Sequence, residues 1–466
     1  MRALITAGAT GVLVAGCMVG PNYERPKTPA APSYEYEPAE AAQTADTEWW
    51  RQMGDPVLDQ LIDQALANNK DLKIATANVA QAAGILTQSR APLYPNINYR
   101  GDATRYRFSD STITQVPVTV ANPTPYYNVL AGASWEIDLW GRIRRLSEQA
   151  QANLFATQDA RNGVVLTVVT QVAISYIQLR AVDEELDIAQ RTLVAYGQSL
   201  KITQDKFTYG QTSKMTVAQV QSQYETVASK IPDLHNQRVV LETTLSVLVG
   251  NNPGAIPRGK SIRDLTPPSV PAGVPSELLE RRPDILQAEQ QLHAATAQIG
   301  AAKAQYFPSI SLTGAFGSGS TELHQLFTGP TKLWHYAGSI TGPIFAGGAI
   351  AGQVRQANAA QQAALFNYER VIQNAFADVD QTLSARQQLV EQVGAEERLV
   401  AALQTYSELA RLQYDGGYTP YSTVLQAEQQ LFPAELSLAQ ARGQLLASLV
   451  SIYGAMGGGW VTRADQ

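Results

Sequence analysis

The sequence contains an internal repeat, in which one unit of about 185 residues occurs twice. The segment APLYPNI at 91–97 matches AQYFPSI at 304–310, which lies 213 residues later. The segment FTYGQTS at 207–213 matches YDGGYTP at 414–420, which lies 207 residues later. Because the repeated segments keep their order, we expect each copy to fold into the same elements in the same order.

Each copy is predicted to contain a helix, two strands, a long helix and a return helix. The first copy spans 51–250, with strands at 96–109 and 126–139, the long helix at 141–208 and the return helix at 213–250. The second copy spans 276–457, with a helix at 284–306, strands at 309–317 and 333–345, the long helix at 349–412 and the return helix at 421–456. A linker at 251–275 joins the copies, and 458–466 form a C-terminal tail.

The predicted strands alternate apolar and polar residues. In the second strand, Val129, Ala131 and Trp135 fall on one face, whereas Ser134 and Glu136 fall on the other. A period of two residues with one apolar face predicts a sheet that contacts water on one side only.

The predicted long helices carry apolar residues at alternating spacings of three and four, which is typical of a coiled-coil seam. No proline interrupts them between Tyr126 and Ile231 or between Ile344 and Thr419. At 1.5 Å per residue the first would be about 100 Å long, far more than the thickness of a bilayer, which is about 40 Å.

Four amphipathic strands are too few to close a barrel, since the smallest natural membrane barrels have eight. A sheet with an apolar face and open edges is not stable alone in lipid, where every backbone polar group needs a partner. We therefore expect several chains to combine into a membrane-embedded β-barrel on a long α-helical stem. A hollow assembly of this kind is a conduit.

The N-terminus has the features of an export signal. Arg2 precedes an apolar stretch at 3–15, which is too short to span a bilayer as a helix, so we interpret 1–16 as a signal peptide. The segment VAGC at 14–17 resembles a bacterial lipobox, which implies cleavage before Cys17 and acylation of that residue. The alternative is an ordinary secretory signal with an incidental cysteine. Residues 17–50 then form a proline-containing leader, either extended or disordered.

Several functions are disfavoured by composition. The net charge is −6 and no Lys/Arg-rich run occurs, which disfavours nucleic-acid binding. One cysteine excludes a disulfide within the chain, and four scattered histidines predict no metal site. No catalytic motif is present, so we expect a protein that is not an enzyme and that carries no cofactor other than a covalent lipid on Cys17.

Longer motifs carry a resemblance to a known family. These motifs are GPNYERP at 20–26, WWRQMGDPVLDQLIDQAL at 49–66, WEIDLWGRIR at 135–144, the segment at 280–314 and GPIFAGGAIAGQVRQA at 342–357. They resemble the outer-membrane factor family, and within it the NodT-type lipoprotein relatives of TolC. The similarity runs in order through the whole mature chain.

The resemblance implies a homotrimer in the outer membrane of a Gram-negative bacterium. Its barrel would have 12 strands, four from each chain, continuous with a periplasmic α-helical barrel. It also implies a periplasmic adaptor and an inner-membrane pump, often of the resistance-nodulation-division class. The expected function is passive export of drugs or other toxic compounds. The alternatives are the exit duct of a type I protein-secretion system and a coiled-coil scaffold without a pore.

The same resemblance assigns roles to residues at the turns after the long helices. It implies a periplasmic tip that contacts the adaptor through Phe207, Gly210, Tyr414 and Gly417. We also select four candidates for a gate near this tip, where the alternative is a solvated helix end; they are Asp205, Tyr406, Glu408 and Arg411.

Tryptophans on the predicted strands are candidates for the membrane surface. Trp135 and Trp334 lie within strands, and Trp140 follows one. Either an interfacial position or packing on the barrel face explains them, and both put them at the membrane.

Overall fold

The computed structural model describes residues 18–27, 34, 36, 48–107, 109, 122–270 and 275–458. The predicted signal peptide, Cys17, most of the leader and residues 459–466 lie outside these ranges. The chain divides into two units. Unit 1 takes its residues from 1–26, 79–157 and 288–368, and unit 2 takes its residues from 27–78, 158–287 and 369–466.

Unit 1 contains an antiparallel four-stranded sheet in the order β1-β2-β3-β4. Its strands are β1 (Asn96–Tyr106), β2 (Thr124–Ile137), β3 (Ser309–Ser320) and β4 (Lys332–Thr341). The first copy of the repeat supplies β1 and β2, and the second copy supplies β3 and β4. The central pairing of β2 with β3 therefore joins the two copies in one sheet.

Several strand ends differ from the prediction. β1 ends at Tyr106 and not at 109, and β2 begins at Thr124 and not at 126, because Tyr106 and Thr124 form the last pair between these strands. β4 ends at Thr341 and not at 345, because Pro343 has no N–H to donate to a neighbouring strand. β3 continues to Ser320, three residues beyond the predicted end, since Gly319 and Ser320 still pair with β2. β2 ends at Ile137 and not at 139, because the Asp138 side chain accepts hydrogen bonds from the backbone N–H groups of Ile143 (3.0 Å) and Arg144 (2.9 Å) at the start of the following helix.

The eight α-helices of the described residues repeat in order, and the long and return helices also repeat in length. They are α1 (Pro56–Asn68), α2 (Lys70–Arg90), α3 (Arg142–Thr208), α4 (Lys214–Leu248), α5 (Pro275–Arg281), α6 (Pro283–Ala304), α7 (Ala349–Asp415) and α8 (Tyr421–Ala455). The long helices α3 and α7 each have 67 residues, and the return helices α4 and α8 each have 35. α7 runs to Asp415, three residues past the predicted end, and stops where Gly417 adopts a φ of 77°.

The core of unit 2 is built around α3. Trp49 and Trp50, which precede α1, are almost fully buried with Tyr176 of α3 and Tyr453 of α8. Trp49 stacks on Tyr453 with ring centres 5.1 Å apart. α3 also contains a segment that is long and apolar enough to cross a membrane, but 56% of it is buried inside the protein. Packing against neighbouring helices accounts for this apolar composition.

The buried carboxylate of Asp55 links three segments of this core. Asp55 is 0% exposed and is the N-cap of α1, where it accepts a hydrogen bond from the backbone N–H of Val57 at 2.9 Å. It also accepts from the hydroxyl of Tyr176 at 2.8 Å and from the backbone N–H of Lys260 at 2.9 Å. Asp55 thus holds together α1, α3 and the segment that follows α4.

Replacing Asp55 should destabilise unit 2. In Asp55→Ala, the buried Tyr176 hydroxyl and two partly buried backbone N–H groups lose their acceptor, and we expect the free energy of unfolding to fall by about 3 kcal/mol. Thermal unfolding of the purified protein, followed by circular dichroism, measures this change. Asp71→Ala, an exposed position in the first turn of α2, is the matched control and should leave the melting temperature unchanged. Equal melting temperatures for both variants would contradict this role of Asp55.

Candidate functional site

The strand register separates the sheet of unit 1 into an apolar and a polar face. Residues in register across the four strands, such as Tyr99, Ala131, Phe316 and Trp334, share one face. The apolar face comprises Ile97, Tyr99, Tyr127, Val129, Ala131, Ala133, Trp135, Ile137, Ile310, Leu312, Phe316, Trp334, Tyr336 and Ile340. Most of these large side chains are exposed in the single chain, so the face has no covering within it.

The height of this apolar face matches a bilayer. On β2 it extends from Tyr127 to Ile137. Ten steps of about 3.3 Å give about 33 Å along the strand, and a strand tilt of about 40° reduces this to about 25 Å. That is the height of the lipid-facing band of outer-membrane barrels.

The opposite face carries polar side chains. Asn98, Arg100 and Asp102 of β1 lie on it, and the Arg100 guanidinium donates to the Asp102 carboxylate at 2.6 Å. Ser311 and Ser339 hydrogen-bond across β3 and β4 at 2.7 Å. This face suits a water-filled space, because its charges and hydroxyl groups can remain solvated.

The two tryptophans selected from the sequence both lie on the apolar face. The Trp135 indole N–H donates to the backbone carbonyl of Leu93 at 3.0 Å, which fixes the ring at the end of the sheet nearest to α2. Trp334 is exposed and stacks on Tyr336 with ring centres 5.8 Å apart. Trp140 lies beyond β2, where its N–H donates to the carbonyl of Pro308 at 2.8 Å and its ring stacks on Phe307.

The sheet leaves two edges open. Within the part of the chain that the structure describes, β1 pairs only with β2, and β4 pairs only with β3. The outer edges of β1 and β4 therefore carry backbone groups that no strand of this chain satisfies. Such edges require further strands if the sheet is to lie in lipid.

The segment that follows Cys17 is bound to unit 1. Arg145, whose side chain is almost fully buried, donates to the carbonyls of Val19 (3.2 Å) and Gly20 (3.3 Å) and to the side-chain oxygen of Asn22 (2.9 Å). Gly20 has a φ of 97°, and a Cβ there would lie 2.4 Å from the Cα of Gly300, so only glycine fits. The segment GPNYERP is therefore a docked strap rather than a free leader.

In unit 2, the turns at the ends of the long helices are linked to each other. Lys206, next to Phe207, donates to the hydroxyl of Tyr414 at 3.1 Å and lies 5.2 Å from the centre of that ring. Gly210 and Gly417 both adopt positive φ angles, 74° and 77°, as the sharp ends of α3 and α7 require.

More aromatic rings are exposed at these turns than the sequence analysis selected. Phe207 is exposed, and so are Tyr209 and Tyr418, which sequence reasoning did not single out. Their position inside the two repeated turn segments was the available signal.

The four gate candidates have different surroundings, and no hydrogen bond or ion pair links them to one another. Asp205 and Glu408 are exposed, and Tyr406 is half-buried against apolar residues such as Leu403 and Ala410. Among the side chains that the structure describes, Arg411 has polar partners: its guanidinium donates to the hydroxyl of Ser199 at 3.3 Å and lies 3.9 Å from the Glu428 carboxylate.

Glu428 is the residue at this end of unit 2 that sequence reasoning missed. It is 9% exposed on the face of α8 that also buries Val424 and Leu425. Burial raises the pKa of its carboxyl, and Arg411 opposes that shift. The signal in the sequence was a carboxylate within the apolar spacing of α8.

Comparisons with known proteins agree with this geometry. A family model described as outer membrane efflux protein matches residues 61–251 and 274–458. The toluene efflux pump outer membrane protein TtgC of Pseudomonas putida is 33% identical, with 100% of this chain and 97% of the relative covered. The probable outer membrane lipoprotein SilC of Salmonella typhimurium is 32% identical, over 97% of this chain and 98% of the relative.

A solved structure has the same fold. The open state of the MtrE outer membrane channel of Neisseria gonorrhoeae superposes with a TM-score of 0.86 at 31% sequence identity, covering 95% of this chain and 99% of that channel. The predicted fold class, long helices with a small β domain of the outer-membrane channel type, is confirmed.

Proposed function

Since the chain belongs to the outer membrane efflux protein family, we propose that three copies of it form a passive exit duct for small toxic compounds. The energy for transport comes from an inner-membrane pump, to which a periplasmic adaptor connects the duct. The chain itself performs no catalysis.

The observation that carries this proposal is the two-faced sheet with open edges. Pairing of β4 in one copy with β1 in the next satisfies both edges and keeps every apolar face towards lipid. Two copies supply eight strands, but the interior of an eight-stranded barrel is filled by side chains. Three copies supply 12 strands, which leaves space inside the polar face for water and solute.

The turns after α3 and α7 are proposed as the contact with the adaptor. Phe207 and Gly210 lie in the first repeated turn segment, and Tyr414 and Gly417 lie at the matching positions of the second. The neighbouring Tyr209 and Tyr418 rings are exposed. Exposed aromatic rings are enriched in protein interfaces, because they bury a large area at a low entropic cost. A pump of the resistance-nodulation-division class is the proposed source of energy.

Export of small molecules is favoured over protein secretion. TtgC carries the description of a toluene efflux pump component, and the family model describes efflux proteins. A coiled-coil scaffold without a pore does not account for a sheet with a membrane-height apolar face.

We propose that acylated Cys17 anchors the strap beside the barrel. Met18 lies against Gly141, where a Cβ would be 2.8 Å from the Met18 side chain, and the Val19 N–H donates to the Trp140 carbonyl at 3.1 Å. Cys17 is joined to Met18 by a peptide bond. Met18 itself lies against Gly141, four residues after Ile137, where the apolar face ends.

A deletion strain tests the proposed function. Loss of this chain should make the bacterium more sensitive to toluene and to lipophilic drugs, and a plasmid copy should restore resistance. If susceptibility is unchanged while a secreted protein disappears from the medium, the duct serves protein secretion instead.

Removing Arg411 should loosen the tip. Arg411→Ala removes the contacts with Ser199 and Glu428, and an ion pair whose arginine is exposed contributes up to about 1 kcal/mol, so the open population should rise by up to about fivefold. The mean current of single channels in planar bilayers measures this rise. Arg398→Ala, at an exposed position on the same helix, is the control and should behave like the unchanged protein. An equal current in the two variants would refute the gate role of Arg411.

The lipid anchor is tested at the mature N-terminus. Mass spectrometry should find Cys17 as the first residue, carrying three acyl chains, and Cys17→Ser should lack them and give a lower yield of membrane-bound protein. The barrel should still conduct after purification, because β1 to β4 are unaltered. An unmodified cysteine, or cleavage at another site, would defeat the anchor assignment.

A further inference from the structure

A recess of about 620 Å³ lies in unit 2 between α3, α4 and α8. Its volume is within the range of sites that bind drug-sized molecules, about 300–1,000 Å³. The adaptor, the lipid anchor and the gate make no use of the residues that line it.

The floor of the recess is closed and apolar. Ala181 and Val182 of α3 are buried there, and Gly443 of α8 approaches α3 so closely that a Cβ would lie 2.8 Å from the Cβ of Ala181. Leu241 of α4 and Ala447 of α8 form the half-buried walls. Such a floor offers an apolar molecule a surface that excludes water.

The rim is made of amides and a single ionisable group. Gln178, Asn236, Gln440 and Gln444 are exposed at the opening. Glu185 is the one titratable residue that lines the recess, and it has no hydrogen bond or ion pair within the described ranges. The recess therefore presents a carboxylate without an ion pair above an apolar floor.

The charges around Glu185 come from α4. Burial raises the pKa of Glu185 to about 7, with Lys230 opposing the shift and Asp233 adding to it. α8 contributes no charge to the lining, because its nearby Arg442 pairs with Glu397 at 2.7 Å and does not line the recess. Glu185 is thus charged above neutral pH, and Lys230 acts on it at longer range without forming an ion pair in the described residues.

The polar rim of the recess lies on the side of α3 that is turned away from the core, whereas the apolar walls adjoin the core. Tyr176 and Leu179 face the core that contains Trp49, whereas Gln178 and Glu185 are rotated by about half a turn. In a duct, the helix face that is not covered by the core segments is the one available to water. A helix face in contact with water requires polar side chains, and the rim of the recess supplies them.

We infer that this recess binds small hydrophobic monocations in transit, with Glu185 as their counter-ion. The inference rests on the proposed duct, because only a solute inside it reaches this side of α3. The apolar floor contacts the hydrocarbon part of the cation, and the amide rim forms hydrogen bonds with its polar groups.

The second copy of the repeat indicates a substitution that removes only the charge of Glu185. The residue 207 positions after Glu185 is Gln392, at the same place in α7. The carboxylate is therefore a feature of the first copy alone, and Glu185→Gln introduces the side chain that the second copy already uses.

Binding of ethidium, a fluorescent hydrophobic monocation, tests the inference. Fluorescence anisotropy with the purified full-length protein in lipid nanodiscs should give a dissociation constant at pH 8 that Glu185→Gln raises by about fivefold. Asp187→Asn, which removes an exposed carboxylate two residues away, should leave it unchanged. Affinity of the unchanged protein should fall from pH 8 to pH 6, as Glu185 takes up a proton, whereas Glu185→Gln should show no such fall.

Channel recordings on the same samples separate the two proposals. If Glu185→Gln binds ethidium as tightly as the unchanged protein, or if both lose affinity equally between pH 8 and pH 6, the recess is not a cation site, and a conducting channel still supports the duct. If inserted protein never conducts, the duct itself is refuted.

Discussion

The need to pair every backbone amide in lipid determines the organisation of this protein. A sheet of four strands has two edges, and in hydrocarbon each unpaired N–H or C=O costs several kcal/mol. The apolar face from Tyr127 to Ile137 commits the sheet to lipid, while the edges of β1 and β4 prevent it from staying there alone. The proposed assembly from several copies resolves this conflict.

The repeat supplies the sheet and the helical part of the chain with two matching halves. Each copy contributes one hairpin to the sheet and one pair of long and return helices. The copies then diverge at polar positions, where only the first has Asp55 ahead of α1 and Glu185 in the middle of α3. A common scaffold thus carries features that are particular to one half.

Much of this organisation could be predicted from the sequence, because periodicity reflects burial directly. The two faces of β2 and the apolar seam of α3 follow from spacings of two residues and of three or four residues. Strand ends were less accessible, since the end of β2 depends on the Asp138 side chain turning back to cap a helix. Asp55 and Glu428 were missed because the burial of a carboxylate depends on partners far away in the chain, such as Tyr176 and Arg411.

The equal lengths of α3 and α7, and of α4 and α8, limit how this architecture can change during evolution. Deleting one residue from α3 would rotate everything beyond it by about 100° and shorten it by about 1.5 Å, so its seam would no longer face its neighbours. Length changes that keep the seam come in heptads, or about 10 Å, and must occur in all four helices together. The reach across the periplasm is therefore inherited in discrete steps, and a lineage with a wider periplasm needs coordinated insertions in both halves of the gene.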